Sequence, residues 1–323
     1  MNEKVIEVKG NHNKKYTHFN KRKINLKILK EQKYLLIMSL PFVIWLVIFR
    51  YLPLWGWTMA FQDYKPALNF FQQKWVGFKY FIQLFSDQTF YQALRNTIAM
   101  SLLGLIFGFV MPVIFALLLN EIRNIKFKRL TQTISYLPHF VSWVVVASIV
   151  TLTLSPAGSV DSFLVKYGLV KQPIGFLTKP TWFWMIIVIT NIWKETGWNA
   201  IIYLAAITGI DPELYEAAKV DGAGRLRLIW HITLPGIMPT MIILLIMSIG
   251  SLINIGFEQQ FLIGNPIVKD YAYVIDWYAL DYGIGLFRYS FGTAIGIFKS
   301  VVSIILLFIA NSIAKKVSDT SIL

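Results

Sequence analysis

The sequence predicts an all-α integral membrane protein with six membrane-spanning helices, and three observations carry that prediction. Hydrophobic residues make up 56% of the 323 residues and charged residues 15%, against roughly 45–50% and about 25% in soluble domains. Six stretches, at 34–54, 96–119, 134–154, 182–207, 237–257 and 293–313, are long and apolar enough for a bilayer crossing, for which ~20 residues suffice. Basic residues crowd the segment ahead of the first stretch. The chain therefore divides into a basic tail (1–33), a membrane domain (34–314) and a short second tail (315–323).

The first 33 residues carry ten Lys and Arg, among them Lys14, Lys15, Lys21, Arg22 and Lys23, and supply much of the formal net charge of +14. Beside a span this pattern suits the positive-inside rule and anionic lipid headgroups. No aromatic-interleaved basic groove accompanies it, so nucleic acid is not an expected partner. The tail is too long and too polar for a cleaved signal peptide and is expected to stay. With the N-terminus inside, 120–133 (Arg123, Lys126, Lys128, Arg129), 208–236 and the end with Lys315 and Lys316 fall on the cytoplasmic side. The segments 55–95, 155–181 and 258–292, whose charges nearly cancel, fall outside. Both termini are expected in the cytoplasm.

The outer segments hold Tyr51, Trp55, Trp57, Tyr64, Trp75, Tyr80, Trp277, Tyr278 and Tyr282. These suit an interfacial belt and also platforms for sugar rings. Within the spans, Gly104 and Gly108, and Gly292 and Gly296, stand four apart. That spacing suits close helix packing inside the subunit, or a seam with another subunit. Pro41, Pro112 and Pro239 mark kinks. Arg50 and Lys299 lie near outer span ends, from which they can snorkel.

Polar residues inside the spans are the candidates for a translocation pathway or gate. In the fourth span Asn191, Glu195 and Asn199 recur at four-residue spacing on one face, with Lys194 beside them. Such groups pair structurally or face a cavity. Asn254 and, just beyond the fifth span, Glu258, Gln259 and Gln260 extend the set. The chain has no cysteine, which excludes disulfides and thiolate metal sites. Its four histidines, His12, His18, His139 and His231, are scattered without metal-ligand spacing. No metal or cofactor of its own is expected.

One polar segment, EAAKVDGAGRLRLIWHITLP from Glu216 to Pro235, lies between long apolar runs. Asp211 caps a helix whose first residue is Pro212, and Ile210 packs on Tyr215 as a staple. Gly222 supplies a left-handed terminus. A second short helix follows Gly224 and ends at Pro235. The product is a compact knob exposing Glu213, Glu216, Lys219, Arg225 and Arg227. An interfacial hairpin lying on lipid and a peg for a soluble partner both fit it.

The spacing within that knob is specific: Glu216-Ala217-Ala218, three residues, Gly222, nine residues, Ile232, one residue, Leu234-Pro235. It resembles the signature loop of ABC importer permeases, with no departure in identity or spacing. The runs from Tyr51 to Tyr64, Leu204 to Ala218 and Ser290 to Ser300 more loosely resemble the carbohydrate-uptake type. The likeness is to the polysaccharide and complex-oligosaccharide branch, similar to the maltose-importer permeases. The resemblance implies a type I ABC importer permease fold in which the knob is a cytoplasmic coupling helix docked on an ATPase. Glu216, Ala217, Ala218 and Gly222 would line that contact, with Asp221, Arg225, Leu234 and Pro235 completing the coupling set. Since no Gly-x-x-x-x-Gly-Lys-Ser/Thr phosphate loop is present, ATP and Mg belong to the partner. The implied partners are a second permease subunit, two copies of a cytoplasmic nucleotide-binding ATPase, an extracellular solute-binding protein, an oligosaccharide and the surrounding lipid. Competing readings are an importer of a non-sugar solute, a membrane glycosyl- or acyltransferase, and a secondary transporter or channel. For the enzyme, Glu258, Asp270, Asp276 and Asp281 show no catalytic spacing.

Overall fold

The computed structural model describes residues 32–317. The basic tail up to residue 31, and the last six residues of the second tail, lie outside the described residues. The segment up to Trp55 is a unit of its own. It holds helix α1 (Lys33–Leu46), with Pro41 inside it, and a wider-turned continuation over Val47–Tyr51, neither with a buried residue.

The second unit starts at Gly56. A two-stranded antiparallel ribbon pairs β1 (Gln62–Asp63) with β2 (Lys74–Trp75), Gln62 opposite Trp75. Helix α2 (Lys79–Ser86) leads into α3 (Gln88–Glu121), whose N-cap Asp87 accepts the Thr89 N–H at 2.9 Å. There follow α4 (Ile125–Tyr136), α5 (Trp143–Leu154), α6 (Ser159–Lys166) and α7 (Pro180–Thr208). Next come α8 (Pro212–Val220), α9 (Arg225–Leu228) and α10 (Leu234–Gly250). The chain closes with α11 (Glu258–Ile263), α12 (Lys269–Ala272), α13 (Ile275–Leu280) and α14 (Tyr289–Val317).

Among the described residues five helical stretches, not six, are long and apolar enough to cross a membrane: Lys33–Phe61, Gln88–Glu121, Trp143–Lys166, Arg225–Gly250 and Tyr289–Lys316. The fourth expected span, 182–207, is a single 29-residue helix, α7. Its ladder of Asn191, Lys194, Glu195 and Asn199 takes it out of the apolar set.

Two spans differ from the simple helices expected. The third, 134–154, is broken: α4 ends at Tyr136, a 3-10 turn covers Leu137–Phe140, and α5 restarts after Ser142. Pro138 has no N–H to donate back into α4, and the Ser142 hydroxyl accepts from the Val145 N–H at 3.4 Å. The fifth begins earlier and ends sooner than 237–257. Pro235 does not end the helix before it. A wide-turned segment, Ile229–Thr233, joins α9 to α10, and Pro235 sits in the first turn of α10, where its missing N–H costs little. The helix then stops at Gly250, and 251–257 run as turns and irregular chain with Gly256 at φ +75°.

Packing is concentrated in three apolar clusters. One joins α2, the start of α3, α13 and α14 through Leu84, Phe90, Tyr278 and Phe291. A second joins α5, α7 and α11 through Ala147, Phe183, Ile187 and Ile263. A third joins α3, α7 and α10 through Val113, Ala200, Tyr203 and Ile237. Tyr278 and Tyr80, read from sequence as belt or platform residues, are buried here instead. The Tyr278 hydroxyl donates to Asp87 at 2.6 Å and that of Tyr80 to Asp63 at 2.7 Å. Burial, and then the accepting carboxylate, raise both hydroxyls above the ordinary tyrosine pKa. Trp55, Trp57 and Trp75 remain exposed. Ser290, which opens the Ser290–Ser300 run, donates to the Gln62 carbonyl at 2.7 Å and accepts from the Tyr64 N–H at 3.0 Å. Two of the segments singled out in the sequence therefore meet in space.

The glycine pairs divide. A Cβ on Gly292 would stand 2.7 Å from the Gly283 Cα, so this position packs within the subunit as expected, whereas Gly104, Gly108 and Gly296 have open space where a Cβ would go. The tightest approach involves a different glycine: a Cβ on Gly197 would lie 2.1 Å from the Ser135 carbonyl oxygen, where α4 crosses α7. Gly197→Ala is therefore expected to cost about 1–3 kcal/mol of stability through overpacking. Gly104→Ala should stay within about 0.5 kcal/mol. Thermal unfolding of the two variants in one detergent checks the contrast.

Candidate functional site

A cavity of about 730 Å³ lies between α3, α7, the end of α10 and the irregular stretch after it. It collects Asn191, Glu195 and Asn199 from α7 with Asn254, Glu258 and Gln259 from the far wall. With Gln260, seven of the eight pathway candidates thus share one space, although they lie up to 69 positions apart in the chain. The reason is local. The four-residue ladder on α7 presents one face, and the loss of helix after Gly250 turns 251–257 across that face. Ser101, Thr196, Ser248, Ser251 and Gln260 add hydroxyl and amide groups, and Trp143 and Phe257 add aromatic surface. The Thr196 hydroxyl oxygen and the Gln260 carbonyl oxygen are buried without a hydrogen-bond partner among the described residues. Glu195 and Glu258 are the charged residues of this lining. Gly104 and Gly108 line the cavity as well, so their lack of side chains widens it.

Lys194, the remaining candidate, is not in the lining; it is buried. Its ammonium donates to the His139 carbonyl at 2.6 Å and to Glu195 Oε1 at 3.2 Å, and it lies 5.3 Å from the centre of the Trp143 ring. Glu195 Oε2 meets His139 Nδ1 at 2.7 Å, and the His139 ring stacks on Trp198 at 4.4 Å with the planes 1° apart. The Lys194–Glu195 pairing expected from the sequence is thus present, within a larger network. His139 was passed over because no metal-ligand spacing surrounds it. Its partners come from the other helix of the pair, a relation that linear spacing does not carry.

The opposite wall is tied down in a similar way. Asp276 on α13 accepts the Gly256 N–H at 3.0 Å and pairs with Lys299 of α14. Asn254 donates to Ser303 at 2.6 Å, and Gln259 donates to the Ile187 carbonyl at 2.8 Å. Lys299 therefore does not snorkel as expected. Its ammonium is largely buried against Asp276, whose other oxygen accepts the Gly256 N–H of the irregular stretch. Two further carboxylates of the segments expected outside are also engaged. Asp281 accepts from Tyr273 at 2.9 Å, and the fully buried Asp161 accepts from the Ile174 and Gly175 N–H groups at 2.9 and 3.1 Å.

The knob forms α8, its turn and α9. Asp211 accepts the Glu213 N–H at 3.0 Å, and α8 has no buried residue. Gly222 adopts φ +76° and donates to the Lys219 carbonyl at 3.0 Å, while Ala223 donates to the Ala218 carbonyl at 2.9 Å. This is the paired-bond Schellman terminus. Glu216, Ala217, Asp221, Gly222, Arg225 and Pro235 are exposed, and Ala218 and Leu234 are half-buried. Tyr215 bonds Thr233 at 3.0 Å, and Ile210 packs where a Cβ on Gly236 would come within 2.6 Å. The knob is thereby fixed to the helix that continues into α10.

The shared network makes a measurable claim. Lys194→Ala and Glu195→Ala should each destabilise by roughly 1–3 kcal/mol. Together they should cost less than the sum, by about 0.5–3 kcal/mol, since either change leaves the other group without its partner. Strictly additive midpoints in thermal unfolding would rule the coupling out.

Comparison with known proteins bears on the fold and the family. Residues 104–319 match the family described as "Binding-protein-dependent transport system inner membrane component". The chain is 45% identical over 304 residues, 94% of each chain, to the polygalacturonan/rhamnogalacturonan transport system permease protein YteP of Bacillus subtilis (strain 168). It is 48% identical over 288 residues, 89% of this chain and 90% of the other, to Protein LplB of the same organism. Among solved structures it is similar to a chain of a bacterial alginate ABC transporter in complex with alginate pentasaccharide-bound periplasmic protein. That likeness has a TM-score of 0.83 at 41% identity and covers 92% of this chain and 99% of that one. The fold is that of a type I ABC importer permease, and the chain belongs to the family of binding-protein-dependent transport system inner membrane components.

Proposed function

We propose that this chain is the membrane permease subunit of an ATP-driven, binding-protein-dependent importer of oligosaccharides or polysaccharide fragments. The cavity carries this reading. It is lined by side-chain amides, hydroxyls and two carboxylates, with unsatisfied oxygens on Thr196 and Gln260. Hydroxyl-rich solutes offer donors to such oxygens and acceptors to such amides. Trp143 and Phe257 offer flat faces to sugar rings. The relatives' names, polygalacturonan/rhamnogalacturonan and alginate among them, point to the same solute class.

The division of labour follows from what the chain holds. An extracellular binding protein delivers the saccharide, and a second permease subunit completes the path. Two copies of a cytoplasmic ATPase bind ATP and Mg and dock on the knob, with both termini of this chain on the same cytoplasmic side. Glu216, Ala217, Ala218, Asp221, Gly222 and Arg225 meet the ATPase, while Leu234 and Pro235 seat the knob on its helix. The continuity of Arg225–Gly250 as one helical stretch supports a direct lever. Displacement of α8 passes through the Tyr215–Thr233 bond to α10, whose Ser248 stands in the cavity wall. Rigid-body movement of packed elements then opens the cavity to one side or the other.

Expression of the tagged chain with its operon tests this directly. A nucleotide-hydrolysing subunit should co-purify, and vesicles holding the complex should take up saccharide. Glu216→Lys and Gly222→Asp place a charge and bulk on the exposed knob without touching a core residue. Both should cut uptake and saccharide-stimulated ATP hydrolysis at least about tenfold, the scale of a lost inter-site coupling, while leaving this chain inserted. Undiminished uptake in both variants would refute the docking role.

A further inference from the structure

We propose that His139 is a positioning residue that clasps Glu195 and thereby holds the break in the third span against α7, and that solute hydroxyls entering the cavity compete with it for the Glu195 carboxylate. This rests on the reading of the cavity as a saccharide path and adds to it a device by which occupancy is sensed.

Three side chains of α7 grip this one residue of the break. Lys194 holds its carbonyl at 2.6 Å, Glu195 holds its ring nitrogen at 2.7 Å, and Trp198 stacks on its ring. The interruption at Leu137–Phe140 leaves carbonyls that a continuous helix would satisfy, and the buried Lys194 ammonium takes the one on His139. Lys194 is buried and is not in the cavity lining. The ring bond is different, because Glu195 lies in the cavity lining. Its Oε1 is engaged by Lys194 and its Oε2 by His139, with a quarter of its side chain exposed. A saccharide hydroxyl that donates to Oε2 along the direction His139 Nδ1 now takes does so in place of the ring. With a proton on Nδ1, the ring donates to Glu195. Once displaced, the ring keeps its stack on Trp198 but loses its hydrogen bond to α7. The Lys194 bond, the packing of His139 and Phe140 on Trp198 and the contact of Gly197 with Ser135 remain, and α4 with the break can shift about them. A ligand shifts such an equilibrium only by binding one state better. Here the differential contact is the hydroxyl–carboxylate bond, available when the clasp is open.

The charged groups packed against the ring are Glu195 and, through the backbone, Lys194, both from α7. The break's other residues, Leu137, Pro138 and Phe140, carry no charge. The clasp is therefore a two-residue device that substitution can isolate. His139→Phe keeps a ring for the Trp198 stack and removes the bond; His139→Gln restores a donor. In the complete importer in vesicles, His139→Phe should raise hydrolysis without saccharide. The ratio of stimulated to basal hydrolysis should then fall by about fivefold, the lower range of allosteric coupling, and His139→Gln should recover most of it. A role in packing alone predicts the opposite order, with Phe tolerated and Gln impaired.

Hydrogen exchange supplies a readout that does not depend on the solute. Amides of Leu137 and of residues 139–142 in the nucleotide-free complex should exchange faster in His139→Phe and in the isosteric Glu195→Gln, and the double variant should be no faster than either. Equal ratios and equal exchange in His139→Phe and the parent would overturn the clasp. A parent complex that is stimulated by saccharide would meanwhile leave the importer reading standing.

Discussion

Backbone groups in hydrocarbon have no water to bond, and this constraint shapes the chain more than any single contact. Helices satisfy it without help, which is why nearly all of the long apolar stretches are helical. The two places where helix is lost inside expected spans are each held by a charged side chain from a neighbour. At 137–142 the Lys194 ammonium takes a carbonyl, and at 251–257 the Asp276 carboxylate takes the Gly256 N–H while Lys299 balances its charge. Charges in such surroundings are costly unless paired. Here each pairing also anchors a length of irregular chain that faces, or stands beside, the same cavity. The polar residues of the spans are therefore of two kinds: those that repair the backbone, and those that line the cavity.

Apolar burial plays a different part from the one it has in a soluble domain. Lipid tails are as apolar as leucine, so association of helices depends on close approach rather than on expulsion of water. The three buried clusters are modest, and many large apolar side chains of α3, α10 and α14 remain exposed. Close approach is provided by single glycines: Gly197 against the Ser135 backbone, Gly283 against Gly292, and Gly236 beneath Ile210. Gly104 and Gly108 show the converse use. On α3 no neighbour fills the space they leave, and that space belongs to the cavity.

The knob and the cavity are linked by covalent and packing continuity. The Schellman turn at Gly222 fixes the angle between α8 and α9, and the chain from Arg225 runs as one helical stretch to Gly250. The aromatic ring of Tyr215 reaches across to Thr233, and Ile210 seats against Gly236. An exposed surface with no buried residue is thus attached stiffly to the wall of a buried space. That arrangement suits a subunit that receives force at one end and changes access at the other.

The chain's periodicity and local chemistry determined its helices, its polar ladder on α7, the cap at Asp211 and the left-handed turn at Gly222, because these depend on residues within one or two turns of each other. The family motif in the knob was legible for the same reason. Only the tertiary structure decided that Asn254, Glu258 and Gln259 stand across a cavity from Asn191, Glu195 and Asn199. It alone assigned Lys299 to Asp276 rather than to the membrane surface, Tyr278 to a core rather than a belt, and His139 to Glu195. Each of those outcomes turns on which helix faces which. The end of helix at Gly250 and the break after Tyr136 belong with them, since an apolar run carries no mark of where its backbone will be given a partner from another helix. Pairings across 56 positions, as between His139 and Glu195, leave no periodic trace in the chain, because their energy comes from groups that meet only after the helices have packed.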